Sequence, residues 1–158
     1  MSDDLSGFSL FELFKLEAQS HSAVLSDGLL AIESQPDNLS HVEALMRAAH
    51  SIKGAARIID MDAIVELAHA MEDCFVGVQR GAEKLTSARV DQLLQGVDLI
   101  QSLAELSEQQ LADWTAQQAA QCEQLAQQLR QQPPAAQETP SQAPASAEEA
   151  AADGPSLG

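Results

Sequence analysis

The sequence predicts an all-α protein, an antiparallel four-helix bundle carrying a fifth helix at its C-terminal side. Leu, Ala, Val and Ile recur at steps of three, four and seven through four consecutive segments, the spacing of one buried helix face. Gly is scarce before residue 133 and Tyr is absent, so little in the composition favours strands or long loops. Short polar or Pro-containing links separate the segments, and antiparallel packing is then the simplest way to bury all four stripes.

The first helix is expected over residues 9–34, with Phe11, Phe14, Ala18, Leu25, Leu29 and Ile32 on one face and Pro36 marking its end. Asp37 and Asn38 offer caps for a second helix with Val42, Leu45, Ala49, Ile52 and Ala56 inward. Asp60 is the expected cap of a third, with Ile64, Ala68, Met71, Phe75 and Val78 inward and Gly81 as its stop. Thr86 or Ser87 opens a fourth, whose apolar positions are Val90, Leu93, Leu94, Val97, Ile100, Leu103 and Leu106. A thinner stripe of Leu111, Trp114, Cys122, Leu125 and Leu129 runs through a glutamine-rich fifth helix over 108–132, and the pattern leaves open whether it packs on the bundle or projects.

Residues 1–132 therefore read as one domain. Residues 133–158 are Pro, Ala, Gln, Ser and Glu with hardly a large apolar side chain, and read as a disordered linker to further domains.

The 158 residues hold 24 acids against 8 bases, a net charge of −16, which argues against nucleic acid or an anionic membrane surface as a partner. Cys74 and Cys122 form no Cys-x-x-Cys pair, the first residues show no basic n-region followed by an apolar h-region, and no apolar run approaches the length of a membrane span. The expectation is a cytoplasmic protein with reduced thiols.

Chemistry is concentrated in His50-Ser51-Ile52-Lys53-Gly54. Residues three and four apart on a helix are neighbours, so Lys53 and Gly54 both lie one turn beyond His50, beside the inward stripe and not on it. Met46 and Arg57 extend this face, which is mixed and partly basic on a strongly acidic chain. A histidine beside a lysine is most often just a solvated surface. Glycine inside a helix, however, costs about 1 kcal/mol against alanine, and Gly54 has either close helix packing or the approach of another protein as its reason.

The other histidines are plainer. His21 lies near the first helix's apolar face as a partly buried, satisfied ring, and His41 is a polar residue at the start of the second. His69 and Glu72 share a face of the third helix, with Asp73 adjoining. If the second and third helices pack antiparallel, Glu72 reaches one ring nitrogen of His50, fixes its tautomer and leaves the other nitrogen outward as a nucleophile. A free imidazole, with a pKa of about 6.5, is mostly neutral at pH 7, so orientation is the role that remains for the carboxylate. Glu66-x-x-His69 has the spacing of a di-metal bundle ligand pair, but no second copy accompanies it, and no metal is expected.

These residues carry a resemblance. His50-Ser51-Ile52-Lys53-Gly54 followed at the right separation by Ala68-His69-Ala70-Met71-Glu72 resembles the histidine phosphotransfer domain that opens CheA-type chemotaxis kinases, and the run through Asp73-Cys74-Phe75-Val76 is most similar to Wsp-type hybrid kinases. The resemblance spans roughly residues 8–132 and implies a bundle of about five helices. It implies that His50 is the phosphorylated residue and Glu72 its hydrogen-bond partner, that Lys53 assists the phosphoryl group, and that His69 joins the supporting network. Gly54 would admit a docking protein, and Met46 and Arg57 would border it. Many relatives carry further glycines after this motif, whereas Ala55, Ala56 and Arg57 follow here.

The function so implied is a phosphorelay carrier of a chemosensory system, the phosphoacceptor segment of a histidine kinase. His50 would take a phosphoryl group from an ATP-binding catalytic domain and pass it to an aspartate of a receiver domain. No Gly-x-x-x-x-Gly-Lys loop occurs, so this chain is expected to bind no cofactor itself and to use ATP and Mg²⁺ through partner domains. The competing readings are a helical docking module without chemistry and a metal-binding bundle built on Glu66 and His69, with His50 as a further candidate ligand.

Overall fold

A computed structural model describes residues 9–131, which form α1 (Leu10–Ser34), α2 (Val42–Ile58), α3 (Asp62–Gln79), α4 (Ser87–Ala104) and α5 (Leu111–Arg130), with a 3-10 turn at Glu108–Gln110 before the last. The expected linker over 133–158 lies outside the described residues. Among these residues no helix is long and apolar enough to cross a membrane.

The bundle follows from the stripes. Every inward residue expected for α1, α2 and α3 is buried, and α4 buries Val90, Leu93, Val97, Ile100 and Leu103, with Leu94 and Leu106 half-buried at its edge. The connections are too short for anything but antiparallel neighbours. α2 packs along both α1 and α3, α4 packs along α1, and α3 and α4 touch only lightly. A Cβ at Gly28 of α1 would stand 2.7 Å from Leu45 Cδ2, so glycine there sets how closely α1 and α2 approach.

α5 fills the seam that α3 and α4 leave between them. Thr115 lies beside Met61 at the start of α3, and the Leu129 carbonyl accepts from Cys74 Sγ at 3.4 Å near its far end, so α5 runs parallel to α3. Trp114 Nε1 donates to Ser102 Oγ at 2.9 Å, pinning the first turn. At the other end Arg89, fully buried, donates from Nη1 to the Gln128 carbonyl at 3.2 Å and from Nη2 to that of Gln131 at 2.8 Å. A guanidinium thus satisfies carbonyls that a helix terminus leaves open, where the helix dipole also favours a cation. α5 is packed, not projecting.

Two caps differ from the expected ones. Asn38 Oδ1 accepts from the Ser40 N–H at 3.0 Å, closing a local turn, and His41, without a side-chain cap bond, precedes α2 instead. Asp60 does not cap α3; it takes φ 58° as the left-handed residue that ends α2, with Met61 N bonded to the Ala56 carbonyl at 3.0 Å. Short polar side chains compete for nearby backbone in several ways, and their spacing alone does not choose among them. Thr86 and Gly81 act as expected: Thr86 Oγ1 accepts from Arg89 N at 3.1 Å, and Gly81 takes φ 79° after α3.

Both cysteines are free and buried. Burial pushes the Cys74 thiol up to about 12 and the Cys122 thiol up to about 11, so both stay protonated at physiological pH.

Candidate functional site

The inward stripe of α2 turns His50 outward by geometry: with Ala49 and Ile52 buried against the core, residue 50 points to the exposed flank. Its side chain is 66% exposed. α3 packs alongside and brings Glu72 to the seam, where Oε2 lies 2.9 Å from His50 Nδ1. Oε1 of the same carboxylate lies 2.8 Å from Lys53 Nζ. One acid therefore joins the two basic residues that α2 carries one turn apart.

Electrostatics fix the protonation pattern. Burial alone would push the Glu72 carboxyl up, but the hydrogen bonds and charges of Lys53 and His50 outweigh it and hold the carboxyl below its ordinary value. Glu72 is therefore ionised at neutral pH and can only accept, so Nδ1 of His50 carries the ring proton. In the neutral ring Nε2 then holds the free lone pair, on a side chain that is largely exposed. Such an imidazole is an oriented nucleophile on an open surface.

The remaining expected site residues fall around this pair. Gly54 is exposed, and nothing stands within 4 Å of where its Cβ would be. Close helix packing is thus not the reason for that glycine, and an open approach is what it leaves. Met46 is half-buried against the core, while Arg57 is exposed and makes no ion pair among the described residues. Lys53 sits deeper than its place beside His50 suggested, with a side chain 14% exposed and its charge directed at Glu72.

His69 departs from the implied network. Three residues of helix leave an offset of about 60° around the axis, and while Glu72 turns to α2, His69 stays on the outer side, 3.7 Å from Asp73 on its own helix. Glu66 is engaged by Arg130 of α5 at 3.1 Å. Among the described residues no group of three or more His, Cys, Asp or Glu is gathered as a metal ion would need. His21 is half-buried and bonded to Glu17 at 3.0 Å, and His41 is exposed.

The sequence pattern of the Hpt domain family matches residues 9–103, which takes in α1 through most of α4. The chain belongs to the Hpt domain family. The chemotaxis protein CheA of Treponema pallidum is 34% identical over 107 residues, covering 66% of this chain and 13% of that protein. CheA of Borreliella burgdorferi is 30% identical over 103 residues, covering 65% and 12%. The chain thus corresponds to a small part of these relatives' length. Among solved structures, the phosphorylated P1 domain of CheA3 from R. sphaeroides, in complex with CheY6, superposes with a TM-score of 0.62 at 22% identity, covering 76% of this chain and 94% of that one. This Hpt domain therefore shares the helical fold of a CheA P1 domain, and α5 lies beyond the part that the family pattern matches.

Proposed function

We propose that this Hpt domain is the phosphocarrier of a CheA-type chemosensory kinase, with His50 as the residue that is phosphorylated. The observation that carries the reading is the exposed imidazole whose Nδ1 is held by an ionised carboxylate at 2.9 Å. Nε2 attacks the γ-phosphorus of ATP held by a separate catalytic domain, the P–O bond to ADP breaks, and an N–P bond forms. The ring keeps its Nδ1 proton and becomes cationic, and the charge develops next to Glu72. An aspartate oxygen of a receiver domain then takes the phosphorus, the N–P bond breaks, and the ring returns to neutral.

Lys53 acts on this step by holding Glu72 ionised and in place. Gly54 leaves room beside the nucleophile for two different proteins in turn, and Met46 and Arg57 border that opening. ATP and Mg²⁺ are supplied by the partner domains. The acidic, helical surface fits a cytoplasmic signalling component. The CheA relatives and the P1 structure solved with CheY6 support the choice of a receiver as acceptor.

Incubation with ATP, Mg²⁺ and a CheA catalytic domain tests the proposal. Stoichiometric acid-labile phosphate, absent from His50→Gln and discharged by a receiver domain, is the expected result. No incorporation would leave a docking module without chemistry.

A further inference from the structure

Met46, His50, Gly54 and Ile58 follow one another at intervals of four along α2 and form a single ridge on its flank. The ridge is interrupted at Gly54, where no atom stands within 4 Å of a would-be Cβ. Beyond the gap Ile58 is 65% exposed, the most exposed large apolar side chain among the described residues. Its neighbour Ile59 packs against the core, so the chain end of α2 has one isoleucine that serves the fold and one that does not.

We infer that Ile58 is the apolar anchor on which a receiver domain seats itself when it takes the phosphoryl group from His50, with Arg57 meeting the acidic surface around the receiver's aspartate. The inference rests on the phosphocarrier reading and names a contact that serves it. Eight residues of helix place Ile58 about 12 Å from His50, within the footprint of a domain that covers the imidazole. The gap at Gly54 lets that domain lie flat across both points. Charge is compatible with the same occupant: a surface that presents a carboxylate to phosphorus is repelled by most of a chain of net charge −16, and Arg57, without an acidic partner among the described residues, stands on this flank, whereas the equally unpaired Arg80 and Lys84 lie at and beyond the opposite end of α3. Isolated apolar side chains on a surface are ordinary, but one continuous with a reactive group and beside a free cation has the make-up of an interface hot spot.

The test separates docking from chemistry. The chain is phosphorylated on His50 with phosphoramidate, a small donor that needs no docking surface, then desalted and mixed with Mg²⁺ and a purified CheY receiver domain at concentrations below saturation. Ile58→Gln is expected to lower kcat/KM for transfer by roughly tenfold or more through KM, with kcat little changed, and Ile58→Leu to restore it. Both variants should melt as the parent does, because Ile58 supports nothing inside the fold. Transfer by Ile58→Gln at the parental kcat/KM, or a defect confined to ATP-dependent loading of His50, would overturn the inference alone. Failure of the parent to take phosphate on His50 would overturn the phosphocarrier reading and this inference with it.

Discussion

Oε2 of Glu72 lies 2.9 Å from Nδ1 of His50, across the seam between α2 and α3 and 22 residues further along the chain. The contact exists because both residues flank inward stripes: Ala49 and Ile52 on one helix, Ala68 and Phe75 on the other, are buried, and the positions beside them face each other at the rim. Packing of apolar faces thus sets the geometry of a polar pair that contributes little to the packing itself.

Glu72→Gln keeps the shape of the side chain and removes its charge. A charge-assisted hydrogen bond contributes about 1.5–3 kcal/mol, so phosphorylation of His50 should slow by roughly ten- to a hundredfold, with the melting temperature little altered. Single-turnover labelling with a saturating catalytic domain measures it, and parental rates in Glu72→Gln would remove the carboxylate from the account.

Lys53 should matter through Glu72. The carboxyl is held below its ordinary value in the folded protein, so the stability this pair contributes is complete above the unfolded value of 4.5 and is lost as pH falls through the lowered one. Lys53→Met removes the cation at 2.8 Å and leaves burial less opposed. The Glu72 carboxyl, followed by carbon NMR, should then titrate at higher pH than in the parent.

Gly54→Ala should raise stability by about 0.5–1 kcal/mol, because the position is inside a helix and open. Gly54→Leu should fold equally well and slow transfer to a receiver. Thermal melts and transfer kinetics on the same preparations distinguish the two effects, and unchanged transfer in Gly54→Leu would mean that the gap serves no partner.

Arg89→Met should be the most damaging of these substitutions. It strips hydrogen bonds from the Gln128 and Gln131 carbonyls and the opposing charge from Glu83, whose carboxyl burial already pushes up. Removing one member of a buried charged cluster costs about 3 kcal/mol or more. Denaturant unfolding followed at the single Trp114, at the far end of α5, reports the loss.

What could be read in the sequence follows from what periodicity encodes. The stripes of α1 to α4 fixed which residues face inward, and with them the outward turn of His50 and the approach of Glu72. The seating of α5 was illegible because it depends on Arg89 reaching carbonyls 39 and 42 residues away, a contact without a repeat. Asn38 and Asp60 take other roles than the expected caps because short polar side chains bond whichever backbone group lies nearest. The family resemblance implies a place for His69 in the site, whereas the 3.6-residue period carries it outward to Asp73. The finer likeness to Wsp-type kinases rests on the run from His50 to Val76 alone; the relatives named above are CheA proteins.

The central claim is that Glu72 reserves Nδ1 of His50 and leaves Nε2 to react. Nitrogen and phosphorus NMR of the chain after phosphorylation by a catalytic domain measures it directly. The account predicts a single phosphoryl group on Nε2 of His50 with the proton still on Nδ1; a phosphoryl group on Nδ1, or on any residue other than His50, would contradict it.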